Sequence, residues 1–476
     1  MKKVAIIGGG IAGLATAYYL HTRGNGAVAY TLIESAPNFG GKIASAREQG
    51  FVVEGGPDSF LTTKPAALAL CRDLGLGDEL IGTNDAGRKV FVWSRGKLRA
   101  MPDGVMLIIP TKLMPFVMSS LISPLGKLRM GLDAFIPPRA DDGDESLSHF
   151  VRRRLGAEAL DKIAEPMIAG IYVADAENLS LQSTFPRFLD MEKKYGGLLR
   201  GVIAQKRASN GNGKTPSKPA PSTPKTTGGS MFMTLRGGLQ QMTDALVARL
   251  NRPSLISNRR VVGIAPGADG YRVTLSDGAH LSADEIVFAT PAYATADLVA
   301  PIAPALADAL RAIRYVSTAT VSLGFKRAEL THPLDGFGFV VPRSEKRKII
   351  ACSWSSTKFN HRAPAGYALV RAFIGGAHAD AERLVAQNDA ALAQMAREEL
   401  RAMMGITATP VLTKVYRWSK ANPQYEVGHL ARIAEIDRLA QAAGVHLAGG
   451  AYHGVGIPDC IESGARVAEK ILKPGK

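Results

Sequence analysis

Short apolar runs closed off by glycine or proline mark both ends of the chain, a pattern that predicts strands buried on both faces rather than half-exposed ones. Residues 4–7 make the first run; a glycine turn and an apolar helix over 11–21 follow, and a second run over 27–33 stops at Glu34. Val261, Ile264, the 271–275 stretch, an Asp277-Gly278 turn and the 284–291 run predict a β-meander returning to a buried strand. A short strand at 445–447 and a closing helix reaching about residue 472 complete this set. In between, 318–325, 337–341, 349–354 and 369–374 read as strands, and 380–404 and 430–443 as helices.

A chain of 476 residues exceeds what one ordinary core organises, so more than one unit is expected. With 46% hydrophobic and 21% charged residues it reads as globular rather than disordered, collagenous or multi-span. Lysine and arginine number 58 against 42 acids, and the resulting +16 points to an anionic partner: nucleic acid, an acidic membrane surface, or a substrate carrying carboxylates or phosphates. Cys71, Cys352 and Cys460 are scattered without a CxxC pair, which argues for a reducing, cytoplasmic setting over a disulfide framework. The histidines show no HxxxH or HExxH spacing, so no metal site is expected. Lys2 and Lys3 before an uncharged run would also suit a secretory leader, but Gly8, Gly9, Gly10 and Gly13 make a poor leader helix.

Gly8-x-Gly10-x-x-Gly13 falls between the first strand and its helix, and Glu34 ends the second strand, which is the arrangement of a dinucleotide fingerprint. Gly8 permits the tight turn, Gly10 lets backbone approach a pyrophosphate, and Gly13 lets helix and strand pack closely. Gly9, Ile11 and Ala12 bring N–H groups to the positive end of the helix, and Glu34 can bind a ribose diol.

The continuation Glu34-Ser35 to Gly40-Gly41-Lys42, then Gly55-Gly56-Pro57, resembles the FAD-dependent monoamine oxidase-like superfamily. Further segments narrow the resemblance: Asp58-Ser59-Phe60, the 165–175 stretch from Glu165 through Gly170 to Asp175, Gly196-Gly197 with Arg200, Gly237-Gly238-Leu239, and Gly454 to Gly464. Taken in order they are similar to the oxygen-dependent porphyrinogen oxidases of haem biosynthesis, nearer the bacterial branch that includes coproporphyrinogen III oxidases. The resemblance implies an α/β fold with a discontinuous Rossmann-like FAD-binding domain (1–60, 231–310, 441–476) and a mixed-sheet substrate domain (61–91, 311–440). A helical, membrane-associating region (92–204) and a disordered basic insert (205–230) complete it.

FAD is the implied cofactor. The opening turn, Glu34-Ser35, Gly40 to Lys42 and Gly55 to Ser59 would hold it, with the Val261 backbone near adenine and Gly449, Val455, Gly456 and Ile457 near the flavin or ribityl chain. The implied reaction removes six electrons from a porphyrinogen in three rounds, each returning electrons to O2 as hydrogen peroxide. The carbonyl of Gly170 is expected to face the reacting bridge carbon; read without the resemblance, Gly170 is a helix breaker. Substrate propionates would give the positive charge a purpose, and Lys64, Arg88, Lys89, Arg95, Lys97 and Arg99 are candidates by position. The arginine that some members carry after a Leu-Pro-x-Gly turn has no counterpart here, because Met101-Pro102-Asp103-Gly104-Val105 continues with Met106. Coproporphyrinogen III is favoured over protoporphyrinogen IX. An amine or carotenoid oxidoreductase of the same superfamily and a non-catalytic basic membrane-binding protein are the alternatives.

The 105–126 stretch is rich in Met, Leu and Pro, is edged by Lys112, Lys127 and Arg129, and is broken by Pro115 and Pro124. It is too short and interrupted to span a bilayer but suits shallow insertion at the inner face of the cell membrane; a pocket lining or helical core is the competing reading. Residues 205–230 contain no acid, no aromatic and no Val, Ile or Leu, so they cannot build a core. No nucleic-acid partner is expected, and a homodimer is.

Overall fold

A computed structural model of the protein describes residues 1–84, 88–106, 108–110, 113–211, 230–267 and 270–473. The chain forms two units, Met1–Thr83 with Lys225–Arg314 and Ala431–Lys476, and Asn84–Pro224 with Tyr315–Leu430.

The first unit is built on a five-stranded parallel sheet. Its spatial order is Leu255–Ile256, Val28–Ile33, Lys2–Ile7, Glu285–Phe288 and Val445–Leu447. Numbered along the chain this is 3-2-1-4-5, the doubly wound order whose direction reverses beside the opening strand, where such sheets take their ligands. Val4–Ile7 are all buried, and the helix Ile11–Arg23 is buried continuously from Ala12 to Leu20. The apolar pattern that also suited a leader is therefore that of a core. Against this helix lies the closing helix Ile457–Leu472. A Cβ at Gly464 would stand 2.6 Å from the Ala12 carbonyl oxygen, so glycine sets the spacing of the pair. The expected meander forms from Val261–Gly267, Gly270–Leu275 and His280–Ala283, all antiparallel.

The second unit carries a seven-stranded sheet in the order Leu412–Pro423, Tyr315–Lys326, Tyr367–Gly375, Ile349–Ser353, Gly338–Val340, Val90–Ser94 and Lys97–Ala100. Its pairs are antiparallel except Gly338–Val340 with Val90–Ser94. A helical part includes Leu147–Arg154, Glu165–Tyr172, Pro186–Tyr195 and Leu198–Gly211. Inside it the fully buried Arg154 meets Asp133 at 2.6 Å and Glu192 at 3.3 Å, and Asp133 also accepts the Leu199 N–H.

Three elements differ from the sequence reading. The helix expected over 380–404 is two, Ala381–Val385 and Asp389–Met404, because the Asn388 side chain caps the second by accepting from the Ala391 N–H at 2.9 Å. The edge strand Leu412–Pro423 was not anticipated. The helix Leu198–Gly211 runs into the basic stretch read as disordered, through helix-compatible Lys206, Arg207 and Ala208; residues 212–229 of that stretch lie outside the described residues.

Candidate active site

The turn after the opening strand uses glycine for two different reasons. Gly8 has φ of +108°, and a Cβ on it would lie 2.8 Å from the Ala289 carbonyl oxygen. A Cβ on Gly13 would lie 1.9 Å from the Gly8 carbonyl oxygen. Both positions are closed by the protein's own backbone. At Gly10 an added Cβ would meet nothing within 4 Å. Gly10 caps the helix Ile11–Arg23 with no side-chain hydrogen bond and no acid in the first turn, so the first N–H groups face outward at the positive end. A bare backbone where a side chain would fit, in front of unsatisfied donors, matches the needs of a diphosphate approaching from outside the chain.

Two more glycine segments close on this turn. Gly40 donates its N–H to the Gly9 carbonyl at 2.9 Å, and a Cβ on Gly41 would stand 3.0 Å from the Gly10 Cα. A Cβ on Gly56 would collide with the Lys42 carbonyl oxygen at 1.8 Å, while Gly55 donates to the Ala44 carbonyl at 2.7 Å. The carboxylate of Glu34 accepts from the Gly9 N–H at 2.7 Å, from the Ala36 N–H at 2.8 Å and from the Ser35 hydroxyl at 3.1 Å. These bonds leave lone pairs for a diol. Lys42 is exposed, and desolvation by the surrounding protein lowers its pKa.

The discontinuous parts reach the same place. The Ile256 carbonyl accepts from the Glu34 N–H at 2.8 Å, and the Arg259 N–H donates to the Glu34 carbonyl at 3.0 Å, which brings the start of the Val261 strand beside the acid. Val261 itself is buried. Gly449 comes within 4.0 Å of the Ala12 side chain, measured from an added Cβ, and donates to the Ser463 hydroxyl. Partly exposed Val455 precedes Gly456, whose N–H donates to Asp459 at 3.1 Å, and buried Ile457 opens the closing helix. Ser59 donates to Asp58 at 2.7 Å, and Pro57 is half-buried before them. Sequence reasoning missed Phe39, whose ring is the nearest neighbour of a Cβ placed on Gly9, at 2.5 Å.

Gly170 lies in the second unit, inside the helix Glu165–Tyr172, so the helix-breaker reading fails. Its backbone is exposed, and an added Cβ would meet only the Val340 side chain, at 3.4 Å. As a residue of the last turn it presents a carbonyl without an intrahelical partner, at the helix's negative end. The helix follows a π-turn at Leu160–Ala164 and stops at Val173, whose φ of 55° and ψ of 29° are left-handed, a costly state for a β-branched residue. Gly376 abuts the Val173 side chain, Glu165 accepts from the Arg343 N–H at 3.2 Å, and the Arg343 guanidinium meets Asp175 at 3.1 Å. Burial, opposed by Arg343, pushes the Glu165 carboxyl up to about 7; burial and Arg343 lower His378. No local pattern announces this cluster, whose outermost members, Glu165 and His378, are more than two hundred residues apart.

The basic candidates fare unevenly. Lys64 is paired with Asp459 at 2.7 Å and Lys89 with Asp335 at 3.1 Å. Arg99 bonds the Ser94 carbonyl and the Ser120 hydroxyl, Arg95 lies 3.9 Å from Glu158, and Lys97 is exposed. His453 sits 3.3 Å from Asp437.

A doubly wound sheet, a glycine cradle and a separate sheet-and-helix unit together define a flavin oxidoreductase fold, and the chain belongs to the flavin containing amine oxidoreductases, whose family pattern matches residues 11–472. Within that family it is 37% identical to the coproporphyrinogen III oxidase of Bacillus subtilis (strain 168), covering 99% of this chain and 98% of the relative. It is also 37% identical to the coproporphyrinogen III oxidase of Propionibacterium freudenreichii subsp. freudenreichii, over 98% of this chain and 90% of the relative. A crystal structure from Exiguobacterium sp. 255-15, provisionally assigned as a protoporphyrinogen oxidase, superposes with a TM-score of 0.86 at 31% identity, over 99% of this chain and 98% of that one.

Gly10→Val is expected to melt like the wild-type apoprotein yet retain little flavin through gel filtration; retention at the wild-type ratio of flavin to protein contradicts the cradle. Glu165 holds its proton more tightly folded than unfolded, so its charge destabilises the fold increasingly as pH rises from about 4.5 through about 7. Glu165→Gln is therefore expected to raise stability at pH 8 by roughly 3 kcal/mol at most and to leave it unchanged at pH 4, read from urea midpoints. An equal effect at both pH values contradicts the shift.

Proposed function

We propose that the protein is an FAD-dependent oxidase that converts coproporphyrinogen III to coproporphyrin in haem biosynthesis. Six electrons and six protons leave the macrocycle in three rounds, and three O2 become three H2O2. The observation that carries this reading is the end-to-end likeness to the Bacillus subtilis enzyme. It includes the segment that exposes Gly170.

Bound FAD supplies two-electron acceptance and return of those electrons to O2. The chain supplies placement. Gly10 and the helix start that Gly8 and Gly13 fix would hold the diphosphate, Glu34 the ribose, the Gly40 to Lys42 and Gly55 to Ser59 segments the length of the cofactor, and Gly449 with Val455 to Ile457 its flavin or ribityl part. Gly170 offers its last-turn carbonyl to a pyrrole N–H, where the negative helix end favours the positive charge that develops as a bridge carbon is oxidised. The absence of a side chain lets the bulky macrocycle come close.

We further propose that the second unit docks on the inner face of the cell membrane, where a poorly soluble tetrapyrrole partitions. Met114, Val117, Met118, Leu125, Leu128, Leu132 and Phe135 are all exposed, from 45% for Leu132 to 80% for Met118. Among the described residues no helix is long and apolar enough to cross a membrane, so shallow insertion is the contact this patch suits. Lys127 bonds the Val117 and Ser119 carbonyls, and Arg129 bonds those of Arg152, Arg153 and Arg154. Both cations serve helix ends rather than reach for lipid; Lys112 lies outside the described residues.

Side-by-side assays are expected to give a kcat/KM at least tenfold higher for coproporphyrinogen III than for protoporphyrinogen IX, and parity or the reverse order overturns the substrate assignment. Flotation with anionic liposomes is expected to persist at high salt and to be lost in the Met118→Glu/Leu125→Glu/Phe135→Glu variant. Salt-released binding, or binding by that variant, contradicts apolar docking.

A further inference from the structure

Near the end of the sheet where Lys326 pairs with Tyr367, the second unit holds a cavity of about 300 Å³ whose walls include Arg327, Ser356, Thr357, Asn360, His361 and Arg362. We propose that this cavity binds a small oxyanion, a phosphate or a carboxylate. The residues around it belong to the second unit and include neither Gly170 nor any residue of the glycine cradle.

Charge is the first argument. Three of the residues around the cavity are basic or titratably basic and none is an acid. The nearest acids along the chain are already committed, Glu329 to Lys326 at 3.3 Å and Asp335 to Lys89 at 3.1 Å. Arg327 is braced by the Leu330 carbonyl at 2.9 Å and the Pro333 carbonyl at 3.0 Å. Neutral carbonyls fix the guanidinium without neutralising it, the arrangement of a preorganised anion receptor.

Burial and donors agree. The Arg362 side chain is 1% exposed and lies over the Phe359 ring at 5.6 Å, so its charge sits in a wall rather than in bulk solvent. The Ser356 hydroxyl accepts from the Leu369 N–H at 3.0 Å, which leaves its proton to donate. His361 adopts φ of 63°, a left-handed backbone state on the cavity rim. The volume is at the lower end for small-molecule sites, about 300–1,000 Å³, which suits an anion of a few heavy atoms with its waters and not a macrocycle.

The test is thermal melting and calorimetric titration of the full-length holoprotein with inorganic phosphate, with citrate and with chloride at matched ionic strength. Wild type is expected to gain melting temperature saturably with phosphate or citrate but not chloride, and the better of the two shows whether the site prefers phosphate or carboxylate. Arg327→Gln and His361→Ala are each expected to weaken binding at least tenfold; His361, being exposed, is the variant that leaves the fold intact. Absence of a saturable response in wild type, or an undiminished one in His361→Ala and Arg327→Gln, overturns the proposal. Neither readout depends on porphyrinogen turnover.

Discussion

Everything at the cofactor end hangs on one backbone crossing, the passage of the opening helix over the turn that precedes it, with a Cβ on Gly13 only 1.9 Å from the Gly8 carbonyl oxygen. That contact fixes where the helix starts. The start fixes where Gly10 leaves backbone uncovered, and Gly9, one residue earlier, is bonded both to Glu34 and to Gly40. Closing the same place from the far end of the sequence, Gly464 lets the last helix lie against Ala12, and Gly449 also comes beside Ala12. A chain broken into three pieces thus makes one cradle because each piece gives up side chains where backbones must touch.

The second unit is organised by a different device. Its Gly170 carbonyl is aimed by a helix between a π-turn and a left-handed valine, and the fold holds that strain with Arg343, Asp175 and the packed Gly376. In the proposed reaction this unit would present an acceptor at a negative helix end and keep side chains out of the way. Reactivity comes from the cofactor, and the protein's share is position.

The sequence made the first unit legible because its signals are local. A strand, Gly8-x-Gly10-x-x-Gly13 and Glu34 occur within one crossover, and apolar runs distinguish parallel strands from half-exposed ones. Asn388 was equally local but was read through, since helix periodicity on either side outweighed one capping residue. The edge strand Leu412–Pro423 escaped because edge strands bury little and so alternate weakly. Lys64 and Lys89 looked available as substrate cations, and only the fold revealed Asp459 and Asp335 beside them, hundreds of residues away. Glu165 with Arg343, and the cavity around Arg362, likewise exist only once distant segments meet.

The most direct test of the account is the absorption spectrum of the purified protein during anaerobic addition of coproporphyrinogen III. The account requires a yellow protein whose flavin absorbance is bleached stoichiometrically by this compound and returns when air is admitted, with porphyrin absorbance growing in its place. A protein that is colourless and stays so after incubation with FAD, or one whose flavin is untouched by the porphyrinogen, contradicts it.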